Sequence, residues 1–243
     1  MSDTTPDITP SPLIHGYHSR GYLPHKKVSG KNYFVTYRLA DSLPREVLLR
    51  LEEEIEQLIA TLPANTPASY KEEQAQLKRH REIEKLLDRG SGKCWLKHPA
   101  IAGLVAGNLV HFHGQRYRLK AWVVMPNHVH ALVQPISGFT LGEIVKTWKQ
   151  YTAMRARRML DVDLNNTGNA SASESDNASE SESDNAGEST RFWQPESYDH
   201  YVRDADDYDR IVHYIHWNPV KARLCAKPED WPWSSASSAL SSE

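Results

Sequence analysis

Cysteine is nearly absent. Cys94 and Cys225 are the only two in 243 residues, too few for a disulfide framework and in keeping with a reducing compartment. Long apolar runs are missing too: no stretch approaches the roughly 20 apolar residues that cross a bilayer. The N-terminal "MSDTTPDITPSPL" has neither the basic n-region nor the apolar h-region of a secretory signal. These absences set aside secreted disulfide scaffolds and membrane proteins, and the expectation is a soluble, cytoplasmic chain with no membrane partner. One segment also lacks a charge sign. Residues 161–190 carry eight acids, Asp161, Asp163, Glu174, Asp176, Glu180, Glu182, Asp184 and Glu188, and no Lys or Arg. Setting those eight apart from the chain's 31 acids leaves 23 against 29 Lys and Arg, a surplus of six basic residues, although the whole chain has a net charge of −2. A basic body with a separate acidic segment suits an anionic partner such as nucleic acid.

What is present divides into an arm and a body. Residues 1–30 read as an arm in which Arg20, Gly21, Tyr22, His25, Lys26 and Lys27 mix cations with rings. That composition suits single-stranded nucleic acid, and equally an ordinary irregular tail. Residues 31–240 read as one domain. "NYFVTYRL" (32–39) is a strand by its aromatic and β-branched content. From Pro44 to Leu87 the apolar spacing is helical twice over, with a break at 63–67 and a stop at Gly90 and Gly92. The dense mixed charge of 44–93 marks a solvated helical insertion, not a chemical site.

A helix is expected from Pro99 to about His113, then a strand from Tyr117 to Met125. Pro126-Asn127 supplies a tight turn into "HVHALV", making a hairpin. Thr140 and Glu143 form a capping box, with Phe139 and Ile144 at the staple positions. The helix that follows has Leu141, Ile144, Val145, Trp148 and Tyr151 as its core stripe. Its outer face carries Lys146, Lys149, Arg155, Arg157 and Arg158. Residues 161–190 repeat "SESDNA" and lack aromatics, so they cannot bury enough apolar surface to offset chain entropy; a disordered acidic loop is expected. Tyr198, His200 and Val202 alternate as in an edge strand, and Asp204 caps a last helix, "ADDYDRIVHYIHWN", which Pro219 is expected to end.

The chemistry sits in two of these pieces. On a strand, residues i and i+2 share a face, so His128 and His130 project together. Two neutral imidazoles so placed can bind one divalent cation, or can be a half-buried, hydrogen-bonded pair. On the last helix Ile211, Tyr214, Ile215 and Asn218 share the face that packs on the sheet, yet that face carries a phenol and an amide. Asn218 is read as a third ligand for Mg2+ or Mn2+ or as a helix cap, and Tyr214 as a nucleophile or as a satisfied core tyrosine. A cation beside a tyrosine is equipment for cutting a phosphodiester through a 5′-phosphotyrosine, leaving a free 3′-hydroxyl.

These pieces resemble a known family, the REP-associated tyrosine transposases in the single-tyrosine branch of the HUH nucleases. The resemblance is carried, in the family's order, by "RGYLPH" (20–25), "YFVTYRLADSLP" (33–44), "AWVVMPNHVHALV" (121–133), "FWQPESYDHYVRDADDYDRIVHYIHWNPVKARL" (192–224) and "WPWSS" (231–235). It implies an α+β fold, a ferredoxin-like antiparallel sheet with the H-x-H strand central and helices on one face. Carried over by motif position, His128, His130 and Asn218 correspond to the ligands of Mg2+ or Mn2+, and Tyr214 to the nucleophile. Tyr198, Tyr201 and Tyr208 lack a ligand-type residue four positions on. The implied partner is single-stranded DNA folded into REP-like palindromic hairpins, cut and transferred by a monomer or homodimer in the cytoplasm, in association with the nucleoid. Arg20, Gly21, Tyr22 and His25, with Lys146, Lys149, Arg155 and Arg158, are the expected DNA surface. Two other readings stay open: a domesticated hairpin-binding protein that organises DNA with little cleavage, and a zinc hydrolase acting on a small molecule, which the lack of a second ligand cluster disfavours.

Overall fold

The computed structural model describes residues 30–168 and 191–237. The arm residues Arg20, Gly21, Tyr22 and His25, and residues 169–190 of the expected acidic loop, lie outside them. Among the described residues four strands form one antiparallel sheet: β1 (Tyr33–Arg38), β2 (Tyr117–Val124), β3 (His128–Pro135) and β4 (Tyr198–Tyr201), in the order β2-β3-β1-β4. β1 and β2 run in the same direction with β3 antiparallel between them, the split βαβ arrangement of ferredoxin-like folds. The H-x-H strand is therefore interior, as expected.

Among the described residues five α-helices accompany the sheet: α1 (Arg45–Thr61), α2 (Ala68–Asp88), α3 (Pro99–His111), α4 (Leu141–Gly168) and α5 (Ala205–Lys221). The two crossover helices share a face. Val129, Ala131 and Val133 of β3 pack with Val105 and Leu109 of α3 and with Ile144, Val145 and Trp148 of α4. The expectation of helices on one face fails for α5, whose Ile211, Tyr214 and Ile215 pack with Phe34, Ala121, Val123 and Leu132 on the opposite face. The reason is the strand period of two. Both sets of β3 side chains are apolar enough to need cover, and two crossovers of one hand can cover only one set. A bulge at Lys120 changes the phase of β2 between Leu119 and Ala121, so that Leu119 meets the α3–α4 side while Ala121 and Val123 meet α5.

Several boundaries differ from expectation. Pro219 does not end α5, which continues to Lys221. The helix closes instead in a Schellman motif: Leu224 N–H donates to Pro219 O at 2.9 Å, Arg223 N–H donates to Val220 O at 2.9 Å, and Arg223 takes a left-handed φ of 59°. A proline inside a helix loses its own N–H bond to the preceding turn and crowds the carbonyl there, and apolar burial of Ile215 and Pro219 offsets that loss. The helix α4 runs to Gly168, so residues 161–168 of the expected loop are helical. Tyr151 is exposed rather than in the core stripe of α4. Thr152 is buried in its place and accepts a hydrogen bond from the Trp193 indole at 2.9 Å. The capping box of Thr140 and Glu143 forms as expected, with Thr140 N–H donating to Glu143 Oε2 at 2.9 Å and Glu143 N–H to Thr140 Oγ1 at 3.3 Å.

The insertion is a helical hairpin with a small core of its own, Leu51, Ile55 and Ala75. Its neck is narrow. Gly92 has φ +84°, and a Cβ there would meet Asp41 O at 2.5 Å, while Lys93 N–H donates to Asp41 Oδ2 at 2.8 Å. Only glycine fits that approach.

The larger core is anchored by Trp148, which is buried, lies edge-on to Tyr117 (5.1 Å, 89°) and donates to its hydroxyl at 2.9 Å. Trp148→Ala is expected to lower unfolding free energy by about 3–5 kcal/mol. Tyr117→Phe, which leaves that indole N–H unpaired, should cost about 1–3 kcal/mol. Urea denaturation of the two variants measures both.

Candidate active site

The site is built where β3 meets α5. Its histidines are fully buried, so each ring nitrogen needs a partner. The Asn127 amide donates from Nδ2 to Ser91 O at 3.1 Å, which leaves its Oδ1 to accept from His128 Nδ1–H at 2.7 Å. This fixes the tautomer: His128 Nε2 carries a lone pair. Burial, aided by the Lys221 charge, holds His128 down at about 3, so it is neutral near pH 7. His130 sits opposite Thr36 in the β1–β3 register, and its Nδ1 lies 2.7 Å from Thr36 Oγ1. The two Nε2 atoms then face each other at 3.0 Å.

Tyr214 and Asn218 enter from α5, whose N-terminus is capped as expected: Asp207 N–H donates to Asp204 Oδ1 at 2.8 Å. The Tyr214 ring lies 5.3 Å from the His130 ring and 6.0 Å from Phe34, while Phe34 stacks on His130 at 5.4 Å. Asn218 is fully buried, one helical turn on, and both its side-chain atoms lack hydrogen-bond partners. It is not a helix cap, since α5 continues past it. A buried carboxamide without partners costs free energy, which the helix accepts at this position.

The insertion, read from its charge as no chemical site, reaches this one. Glu84 of α2 is buried, and its Oε2 accepts the Tyr214 hydroxyl and lies 3.6 Å from His130 Nε2. Burial raises the Glu84 carboxyl to about 7; Asp88 adds to this, while the Tyr214 hydrogen bond and Lys221 oppose it. Burial, then Glu84 and Asp88, raise the Tyr214 phenol well above its usual value. Lys221 lies over the Tyr214 ring at 5.8 Å and pairs with Asp88 at 2.7 Å. β4 adds Tyr198 and His200 on the same face: the Tyr198 hydroxyl lies 2.9 Å from His200 Nδ1, and the His200 ring 5.4 Å from Phe34. Burial lowers His200 to about 4.

No family model matches the chain. REP-associated tyrosine transposase of Escherichia coli (strain K12) is 26% identical over 118 residues, which is 49% of this chain and 53% of that protein. The chain resembles REP-associated tyrosine transposases. It spans about half the length of the curated relative it matches. Among solved structures, the REP-associated tyrosine transposase bound to a REP hairpin aligns over 88% of this chain and 82% of that one, at 16% identity and a TM-score of 0.40.

The structure thus gathers His128, His130 and Tyr214, with Asn218 one turn from Tyr214. Tyr201 is exposed on the edge strand and Tyr208 only lines the apolar cluster. The remaining expected DNA contacts do not join them. Lys146, Lys149, Arg155 and Arg158 are on α4, across the sheet from Tyr214. There Lys146, Lys149, Arg157 and Arg191 line a cavity of about 290 Å³ beside residues 191–197, and Lys149 Nζ donates to Pro195 O at 2.7 Å. Sequence reasoning missed Glu84, Thr36, Asn127 and His200. Asn127 was legible only as a turn residue. Glu84 has one weak signal, its place three residues before the buried Leu87 on one helical stripe.

Among the described residues no group of three or more His, Cys, Asp or Glu could hold a metal ion, and no helix is long and apolar enough to cross a membrane. The donors fit a divalent cation only if the two imidazoles are completed by another kind of ligand. The partnerless Asn218 carboxamide is of the right chemistry.

His128 at about 3 and His200 at about 4 titrate near 6.5 once exposed by unfolding. The unfolded chain therefore binds protons that the folded one refuses. The histidine contribution to stability is complete above about pH 6.5 and falls as pH drops through 6.5 towards 4 and 3; Glu84, raised to about 7, opposes it between about 4.5 and 7, so that two groups outweigh one. The urea midpoint is expected to decline across that window, and His200→Phe should make the decline shallower. An unchanged slope in that variant would remove His200 from the account.

Proposed function

We propose that this chain is a metal-dependent, single-stranded DNA endonuclease and strand transferase that acts at REP-like palindromic hairpins, with Tyr214 as nucleophile. The observation that supports this most is the Tyr214 ring packed 5.3 Å from His130, whose Nε2 faces that of His128 at 3.0 Å. The curated relative is named a REP-associated tyrosine transposase, and His128, His130 and Tyr214, the motif positions the resemblance points to, adjoin one another at this contact.

His128 and His130, with Asn218, would hold Mg2+ or Mn2+. Such an ion, when bound, withdraws charge from the non-bridging oxygens of a phosphodiester. The chain's own groups do the rest. Asn127 and Thr36 keep the imidazoles oriented, and Phe34 backs the phenol. Tyr214 Oη attacks phosphorus in line as its phenolic proton passes to water, and the P–O3′ bond breaks, the departing O3′ taking a proton from water to leave as a 3′-hydroxyl. The product is a 5′-phosphotyrosine, which preserves the energy of the diester. Attack by a second 3′-hydroxyl reverses the chemistry and joins new ends without ATP. Tyr214→Phe is expected to abolish the protein–DNA adduct that resists SDS, while hairpin binding stays within about threefold, since uniform binding needs no nucleophile. His128→Ala with His130→Ala should abolish the dependence on divalent cation along with cleavage. Full activity of wild type in chelator would refute the metal role.

A second reading, a domesticated hairpin-binding protein with little cleavage, is favoured by one feature. His128, His130 and Asn218 are fully buried and Tyr214 is only 8% exposed. Tight hairpin binding by wild type without any covalent adduct in Mg2+ or Mn2+ would select it.

A further inference from the structure

The burial of the site raises a physical question: a nucleic-acid strand cannot reach a phenol that is 8% exposed beside imidazoles that are 0% exposed. Part of the cover is α2, and it does more than exclude solvent. Glu84 Oε2 takes the Tyr214 hydroxyl and stands 3.6 Å from His130 Nε2. One carboxylate oxygen thus contacts both the candidate nucleophile and the candidate ligand His130. That is where an oxygen of a phosphodiester belongs, and a buried carboxylate repels a phosphate placed beside it. The carboxylate also stabilises the phenol over the phenolate, so Tyr214 is a poor nucleophile while Glu84 remains.

The element that carries Glu84 is suited to moving as a unit. α1 and α2 pack chiefly on each other around Leu51, Ile55 and Ala75, apart from the two sheet-face cores. They leave and rejoin the body at one neck, where Gly92 closes on Asp41. One helical turn beyond Glu84, the Asp88–Lys221 pair at 2.7 Å ties the same end of α2 to α5. That pair is partly exposed, with the Lys221 side chain at 40%, and is a weak bond in water.

We infer that the α1–α2 hairpin is a lid over the Tyr214 site and that Glu84 is its catch, filling the place of an anionic substrate oxygen until a single strand displaces it. The lid gates the reaction proposed above and rests on that reading for its purpose, though not for its geometry. Binding of the strand and release of the catch are coupled. The anion competes for the same place.

The test uses the full chain and two variants, Glu84→Ala and the near-isosteric Glu84→Gln, which keeps a hydrogen-bond acceptor without the charge. The first readout needs no DNA: nitration of Tyr214 by tetranitromethane at pH 8, followed by peptide mass spectrometry. Loss of one such coupling contact is expected to speed nitration about tenfold in Glu84→Ala, with Glu84→Gln between it and wild type. Equal rates in all three proteins overturn the lid. The second readout is covalent adduct formation with a pool of hairpin-forming single-stranded oligonucleotides carrying randomised flanks, in Mn2+. Faster adduct formation in Glu84→Ala supports the catch. Slower adduct formation in both variants, despite faster nitration, overturns it and makes Glu84 a group that aids Tyr214 directly. Should no protein form an adduct, the proposed function fails, and the nitration rates alone decide whether Glu84 closes the site.

Discussion

Burying two imidazoles on one face of an interior strand imposes a demand that the rest of the site answers. Each ring must stay hydrogen-bonded, and at least His128 must stay neutral, or the sheet would carry a charge in its core. Asn127 meets that demand for His128 and Thr36 for His130, one from the turn before the strand and one from the neighbouring strand. With both outer nitrogens engaged, the two Nε2 atoms turn towards each other and towards α5. The meeting of those nitrogens is what gives Tyr214 and Glu84 something to converge on.

The sheet separates two kinds of work. On one face α3 and α4 cover a large apolar core around Trp148 and Tyr117, and the cations of α4 look outward from it. On the other, α5 covers a smaller cluster in which polar groups are mixed with Phe34, Leu132 and Ile211. A polar site is tolerable there because the cluster is thin and its polar atoms mostly find each other. Asn218 is the exception, with neither amide atom partnered, and an unsatisfied buried amide is the kind of local cost that function can explain.

The cationic surface and the tyrosine site lie on opposite faces. A hairpin contacting both would have to wrap an edge of the sheet. β4 is one such edge, short and leading directly from the α4 side to Asp204 and α5. The insertion guards the tyrosine side, so the site described here is the closed form of this surface.

Period and punctuation made most of the fold legible. The strand period placed His128 and His130 on one face, the helical period placed Tyr214 and Asn218 one above the other, and Pro126-Asn127 turned β2 into β3. Local rules fell short where distant contacts outweighed them. Pro219 sits inside α5 because its flank is buried, and Tyr151 yields the core stripe to Thr152 because Trp193 needs a partner. Glu84 was out of reach for a stronger reason. Along its helix it is one acid among many, 130 residues before the phenol it accepts. By itself, then, the sequence determined which side chains share a face, because that depends only on spacing along one element. Which faces meet, and that a carboxylate from a charge-rich hairpin closes the site, was decided by the tertiary structure alone, because only chain packing brings groups so distant in sequence into one desolvated volume.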